Sequence, residues 1–224
     1  MELNEVTNKK FKLLDSRESI NYFDNDKVYK IFKNNIDVES RIDAIKIFLN
    51  NNIQGCPQLY EFIYKGDRIV GYSMKYYKRL IPFSGKMRFE FVKKKCLELL
   101  KIYVNLKDNY NLHYIDFHNR NVYINNSSIL LLDIDNSLIG KNINENITDK
   151  YLFDYILSVI YNVSFFDNEI YFTQEERKII KDELYKNNNG TIKTTKDLEQ
   201  FVQTVTRNNV KKVLKKIPYS IKNC

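Results

Sequence analysis

Residues 113–135 read HYIDFHNRNVYINNSSILLLDID. The chain has two histidines, His113 and His118, and both fall in this stretch. Three aspartates, Asp116, Asp133 and Asp135, lie there too, each beside apolar residues. Val122 to Ile124 and Ile129 to Leu132 read as short strands around an Asn-Asn-Ser-Ser turn. A loop followed by this hairpin brings the acids at 133 and 135 back towards the polar groups at 116–121. Three readings compete: a metal cluster, a phosphoryl-transfer site, or a loop and strand that are merely polar.

Phosphoryl transfer asks for positioned charges: a carboxylate on the attacking hydroxyl, metal ligands and a cation on the nucleotide phosphates. Asp116 and Asn121 have a spacing that sets a carboxylate at the acceptor and an amide oxygen at a metal. Asp133 ends the second strand, where the hairpin can return it beside Asn121. Magnesium takes a few hard oxygen ligands together with waters and phosphates, which Asn121 and Asp133 suit.

Upstream, the pattern is mostly β. Phe11 to Leu14, Ser19 to Phe23, Val28 to Phe32, Gln58 to Tyr64 and Arg68 to Tyr76 read as strands, parted by Asp-, Asn- and Gly-containing turns. Between the third and fourth, Val38, Ile42, Ile45 and Leu49 form one helical stripe, with Asp37 as its N-cap. Pro82 and Gly85 mark a linker. Downstream the period is helical: Val92, Cys96, Leu99, Tyr103 and Leu106 share a face, and Tyr151 to Val163 is apolar and helical. Thr173-Gln174-Glu175-Glu176 opens another helix, and Thr194 or Thr195 opens one long amphipathic segment through Leu198, Val202, Val205 and Val213. The expected organisation is a sheet with one helix over 1–77, a linker over 78–87, and a mainly helical part over 88–224.

With these residues in place, the chain resembles the protein-kinase-like superfamily. "D-F-H-N-R-N" and "L-L-D-I-D" match its catalytic loop and metal-binding hairpin, and "V-Y-K-I-F" resembles its lysine-bearing strand. The resemblance implies a two-lobed α+β fold, with an antiparallel N-terminal sheet and one helix above a helical C-terminal lobe. It implies Asp116 as catalytic base, Lys30 on the phosphates, Asn121 and Asp133 on the metal, and Asp135 as a second metal acid. "G-Y-S-M-K-Y-Y" resembles the strand entering the adenine hinge, with Met74 at the gatekeeper and Lys75, Tyr76 and Tyr77 offering backbone hydrogen bonds. The D-x-H-x-x-N form, through His118, is similar to that of aminoglycoside and choline phosphotransferases. His118 is either a brace for the loop or a direct catalytic part. His113 and Tyr114 are expected to be structural, and Asp149 or Asp154 to be the acid of the following helix, Asp149 by capping or bracing the catalytic loop. ATP and Mg²⁺ (or Mn²⁺) are the implied cofactors, and the implied partners are a nucleotide and an unidentified hydroxyl-bearing acceptor.

The chain also departs from that pattern. No glycine precedes Gly55, so Asp15-Ser16-Arg17-Glu18-Ser19 stands where a Gly-rich phosphate loop belongs, and Ser16 and Ser19 are its candidate phosphate contacts. Glu39 is the candidate partner of Lys30, with Asp43 one turn on as the fallback. Only residues 134–148 separate Asp133 from Asp149, too few for a regulatory activation loop.

Composition bounds the rest. With 43% hydrophobic residues in 224, the chain can build a sizeable core. Its net charge of +8 favours anionic partners, but the basic residues are dispersed and nucleic-acid binding is a minor reading. Three distant cysteines give no disulfide framework, and there is no signal core or apolar run of membrane-spanning length, so a cytoplasmic protein with no membrane partner is the expectation. The functional expectation is an ATP-dependent phosphotransferase. A pseudokinase binding a nucleotide or partner is the alternative, and a hydrolase with zinc or iron on His113, Asp116 and His118 is a more distant one.

Overall fold

The computed structural model describes residues 1–8, 11–24, 26–84, 87–140, 143, 145–161, 175, 178, 179, 182 and 192–216. Five β-rich runs form one antiparallel sheet: β1 (Phe11–Asp15), β2 (Ser19–Asp24), β3 (Lys27–Phe32), β4 (Leu59–Lys65) and β5 (Arg68–Lys75), in the order β1-β2-β3-β5-β4. The strand period of two divides β3 and β5 between two faces. Tyr29 and Ile31 pack with Ile63 and with Val6 of α1 (Leu3–Thr7). Val28, Lys30, Tyr72 and Met74 point the other way, into a cleft. The register sets Lys30 directly opposite Tyr72, and Val28 opposite Met74.

Gly71 makes this pairing possible. A Cβ there would lie 2.1 Å from the Lys30 carbonyl oxygen, so β3 and β5 meet where a side chain cannot stand.

Helix α2 (Glu39–Asn50) follows β3 and buries Ala44, Ile45 and Phe48. The expected stripe through Val38, Ile42 and Leu49 is therefore displaced; those three are only partly buried. The inward row runs 41-44-45-48, at i, i+3, i+4 and i+7, and it carries Arg41 towards the sheet. Helical geometry starts one residue later than expected, with Val38 at the N-cap and Asp37 accepting the Ser40 N–H at 3.4 Å. The expected linker includes a short strand, β6 (Ile81–Pro82), which pairs with residues 123–124 further along the chain.

Helix α3 (Phe89–Tyr110) buries its expected face, Val92, Cys96, Leu99, Tyr103 and Leu106. It stops at Asn111, whose φ of 55° closes the helix in the left-handed region that Asn tolerates. Then come β7 (Leu112–His113), β8 (Val122–Asn125), β9 (Ser128–Leu131), a 3₁₀ turn (Ile134–Asn136), β10 (Leu138–Ile139) and α4 (Glu145–Ile160). The helix expected from Thr173 lies largely outside the described residues.

The last amphipathic segment is two helices, α5 (Thr195–Thr204) and α6 (Arg207–Leu214). Thr194 and Asp197 form a reciprocal capping box on α5. The break comes at Val205, which is extended, and Thr206 then caps α6 by accepting the Asn209 N–H at 3.2 Å. One core runs from Phe32, Phe48 and Tyr72 through α3 to Val213. Among the described residues no helix is long and apolar enough to cross a membrane.

Candidate active site

The stretch 113–135 folds as loop and hairpin, and backbone bonds fix its shape. The N–H groups of Asn121 and Val122 both donate to the His118 carbonyl, at 3.0 and 2.9 Å, which rolls the loop into a tight turn. Leu132 N–H donates to the Asn121 carbonyl at 2.7 Å, so Asp133 emerges beside Asn121. Tyr114, fully buried, ties the two segments: its hydroxyl donates to the Leu132 carbonyl at 2.7 Å and the Asp116 carbonyl at 3.1 Å. Burial, and then the nearby Asp116 charge, raise its phenol above the ordinary value, which keeps it a donor.

Asp116 is held from both sides. Asn121 Nδ2 donates to one carboxylate oxygen at 2.7 Å. His118 accepts the Arg120 N–H at Nδ1 and presents Nε2 to the other oxygen at 3.2 Å. His118 thus orients the carboxylate. His113 is buried in β7, 3.3 Å from the Thr148 hydroxyl. The zinc or iron cluster considered from the sequence does not form; among the described residues no group of three His, Cys, Asp or Glu is placed to hold a metal. Asp149 takes Tyr103 at 2.8 Å and Lys107 at 3.4 Å, so it braces α4 on α3, where the catalytic loop was the expected partner.

Lys30 is the centre of a buried ionic network. Its Nζ donates to Asp133 and, at 2.7 Å, to Asp135 Oδ1. The Tyr72 hydroxyl donates to the same Asp135 oxygen at 2.7 Å, and Arg41 Nη1 donates to the other at 2.8 Å. Arg41 Nη2 reaches Glu18 at 2.9 Å. Burial alone would lower the Lys30 pKa, but Asp135 and Asp133 hold it above the usual lysine value. Burial alone would raise that of Asp135, yet the charge of Lys30 and the bonds from Lys30, Tyr72 and Arg41 hold it below the usual carboxylate value.

Two expectations change here. Glu39 is exposed on the first turn of α2 and is not among the partners of Lys30, because the inward face of that helix carries Arg41. Asp43 is exposed and pairs with Lys46. Asp135 is not presented as a metal ligand, because its fully buried side chain already receives three donors.

A cleft of about 600 Å³ is lined by Lys30, Met74, Asp116, His118, Asn121 and Asp133, along with Ser16, Ser19, Lys75, Tyr76 and Tyr77. The serines close the β1–β2 turn: Ser16 Oγ donates to the Ser19 carbonyl at 3.0 Å and accepts the Ser19 N–H at 3.1 Å. At the expected hinge, Lys75 and Tyr76 spend their N–H groups on the carbonyls of Gln58 and Asp26, at 2.9 and 2.6 Å, so neither amide can serve a ligand. A magnesium ion fits the donor set at the cleft floor. The Asn121 NH₂ is spent on Asp116, which leaves its amide oxygen to offer, and Asp133 is 41% exposed. A second cavity, about 890 Å³, lies along Arg41, Phe117, Ser137, Lys150 and Tyr151, and Asp116 lines it too.

Sequence reasoning missed Arg41, Tyr72 and Glu18. Tyr72 was readable as the i−2 neighbour of Met74 on one strand face. Arg41 was readable only once the helix was rotated to its true buried row.

No protein-family model matches the sequence, and no curated protein matches it. Among solved structures the chain is similar to the Cydia pomonella granulovirus kinase PK-1, with a TM-score of 0.61 at 14% identity, covering 88% of this chain and 94% of that one. A five-stranded antiparallel sheet over a mainly helical part, matched over nearly all of both chains, gives this protein a kinase-like fold.

Proposed function

We propose that the chain is an ATP-dependent phosphotransferase that moves the γ-phosphoryl of Mg-ATP to a hydroxyl on a small molecule or protein. The observation that carries this reading is the position of Asp116, which lines both cavities. A nucleotide in the smaller cleft would place its phosphates between Lys30 and the Asn121–Asp133 pair. Bound there, Mg²⁺ (or Mn²⁺) would neutralise phosphate charge. An acceptor hydroxyl in the larger cavity would meet Asp116 from the far side. As its oxygen bonds to the γ-phosphorus and the bond to the β-phosphate oxygen breaks, its proton passes to Asp116. Ser137 supports an acceptor there: the residue lines the larger cavity, and its buried hydroxyl has no hydrogen-bond partner among the described residues.

The test is transfer from labelled ATP with magnesium to a panel of acceptors, comparing wild type with Asp133→Ala. Transfer, hydrolysis or nucleotide binding that depends on Asp133 supports the enzyme; dependence of none of them on Asp133 removes it. One observation favours the second reading, a pseudokinase: the Lys30 ammonium is already bound by two carboxylates. That reading expects a thermal shift with nucleotide or partner and no turnover.

A further inference from the structure

Asp133 and Asp135 both touch Lys30, yet their surroundings differ. The Asp133 side chain is 41% exposed at the cleft, whereas that of Asp135 is fully enclosed. Asp133 has a left-handed backbone, φ 55°, which ends the path of β9 and starts the 3₁₀ turn that carries Asp135 inwards.

Inside, Asp135 meets three elements of the sheet side: Lys30 of β3, Tyr72 of β5 and Arg41 of α2. Arg41 goes on to Glu18, next to the β1–β2 turn over the cleft. A metal at Asp135 would have to displace one of three donors from a side chain with no exposed surface. A metal at Asp133 would only have to take the place of Lys30 on an open carboxylate.

We infer that Asp135 is a positioning residue, the permanent anchor of Lys30, with Arg41 of α2 as a cationic clamp that locks helix and β1–β2 turn to this anchor. The assignment rests on the phosphotransferase reading of the cleft. It reverses the polarity expected of α2: the helix contributes the cation, and the acid comes from the hairpin that also carries Asp133. The sheet side and the 3₁₀ turn after β9 are therefore joined through one carboxylate. Asp133 and Asp135 divide the work, Asp133 facing the metal and Asp135 facing the lysine.

The experiment compares wild type, Asp135→Asn, Tyr72→Phe, Lys30→Met and the double variant Lys30→Met with Asp135→Asn. Two readouts need no turnover: melting temperature, and acylation of Lys30 in the ligand-free protein, followed by peptide mass spectrometry. Without its anchor, the Lys30 Nζ loses one of its two carboxylate partners and is more often reachable, so Asp135→Asn accelerates acylation. In transfer assays the misplaced lysine costs about 100-fold in kcat/KM for ATP. The Mg²⁺ concentration for half-maximal rate stays where it was, and adding Asp135→Asn to Lys30→Met leaves it there too.

Tyr72→Phe keeps every charge, changes both readouts in the same direction by less, and stands in if Asp135→Asn does not fold. A raised Mg²⁺ requirement with unchanged Lys30 acylation would make Asp135 a metal ligand and overturn the inference. So would a rise in that requirement on adding Asp135→Asn to Lys30→Met. If wild type neither binds nucleotide nor transfers phosphate, the phosphotransferase reading fails, while the acylation result still decides whether Asp135 anchors Lys30.

Discussion

At Tyr114 a single hydroxyl holds the two halves of the site together, so its loss is a clean probe. Tyr114→Phe leaves the carbonyls of Leu132 and Asp116 short of a donor inside the core. The expected cost is about 1–3 kcal/mol, read from the urea midpoint at constant slope. Asp135 gives a pH signature. Its folded pKa is depressed, so its stabilisation is complete above the ordinary carboxylate value and is lost as pH falls through the folded one. Lys30 is shifted upwards, so its share is complete below the ordinary lysine value and is lost as pH rises through the folded one. The stability gap between wild type and Asp135→Asn should therefore be flat between about pH 5 and 9 and shrink in acid. At neutral pH it should be about 3 kcal/mol, the scale for breaking a buried pair. Melting temperatures across a pH series check both the plateau and the sign.

Among the elements, β3 and β5 depend on an approach that only glycine allows. Gly71→Ala forces the strands apart at the residue that carries the lysine. A loss of about 1–3 kcal/mol is expected in denaturant, with nucleotide affinity falling alongside. Thr194→Ala removes one half of the capping box on α5 and should cost about 1 kcal/mol without touching the cleft, which makes it a control for general destabilisation.

These same elements show what could be read in advance. The sheet strands and α3 were legible because period-two and period-3.6 patterns lay between clear turn residues. The 116–121 loop was legible because its side chains are local in sequence. The face of α2 was not, since Val38, Ile42 and Leu49 compete with Ala44 and Phe48 for the inward position, and only packing on the sheet decides. The break at Val205 was hidden because apolar spacing continues across it while the backbone turns extended. The partner of Lys30 was hidden for another reason: Asp135 lies far from both Lys30 and Arg41 in the chain, and long-range ion pairs leave no periodic trace.

For the whole molecule, the cleft lies between a sheet and a set of helices that share one core. The buried network at Lys30 reinforces that continuity across the gap. Thermal unfolding should accordingly be a single transition, with calorimetric and van't Hoff enthalpies equal; two resolved steps would show that the sheet and helical parts melt apart.

The walls of the cleft also have an optical consequence. Tyr72, Tyr76, Tyr77 and Tyr123 surround it, and the chain contains no tryptophan. Its ultraviolet emission is therefore tyrosine light alone. Four of the emitters line the cleft in which the proposed nucleotide would come to rest. Filling the cleft should quench part of that light with no tryptophan background to obscure it, so the unlabelled protein can report its own occupancy in a titration.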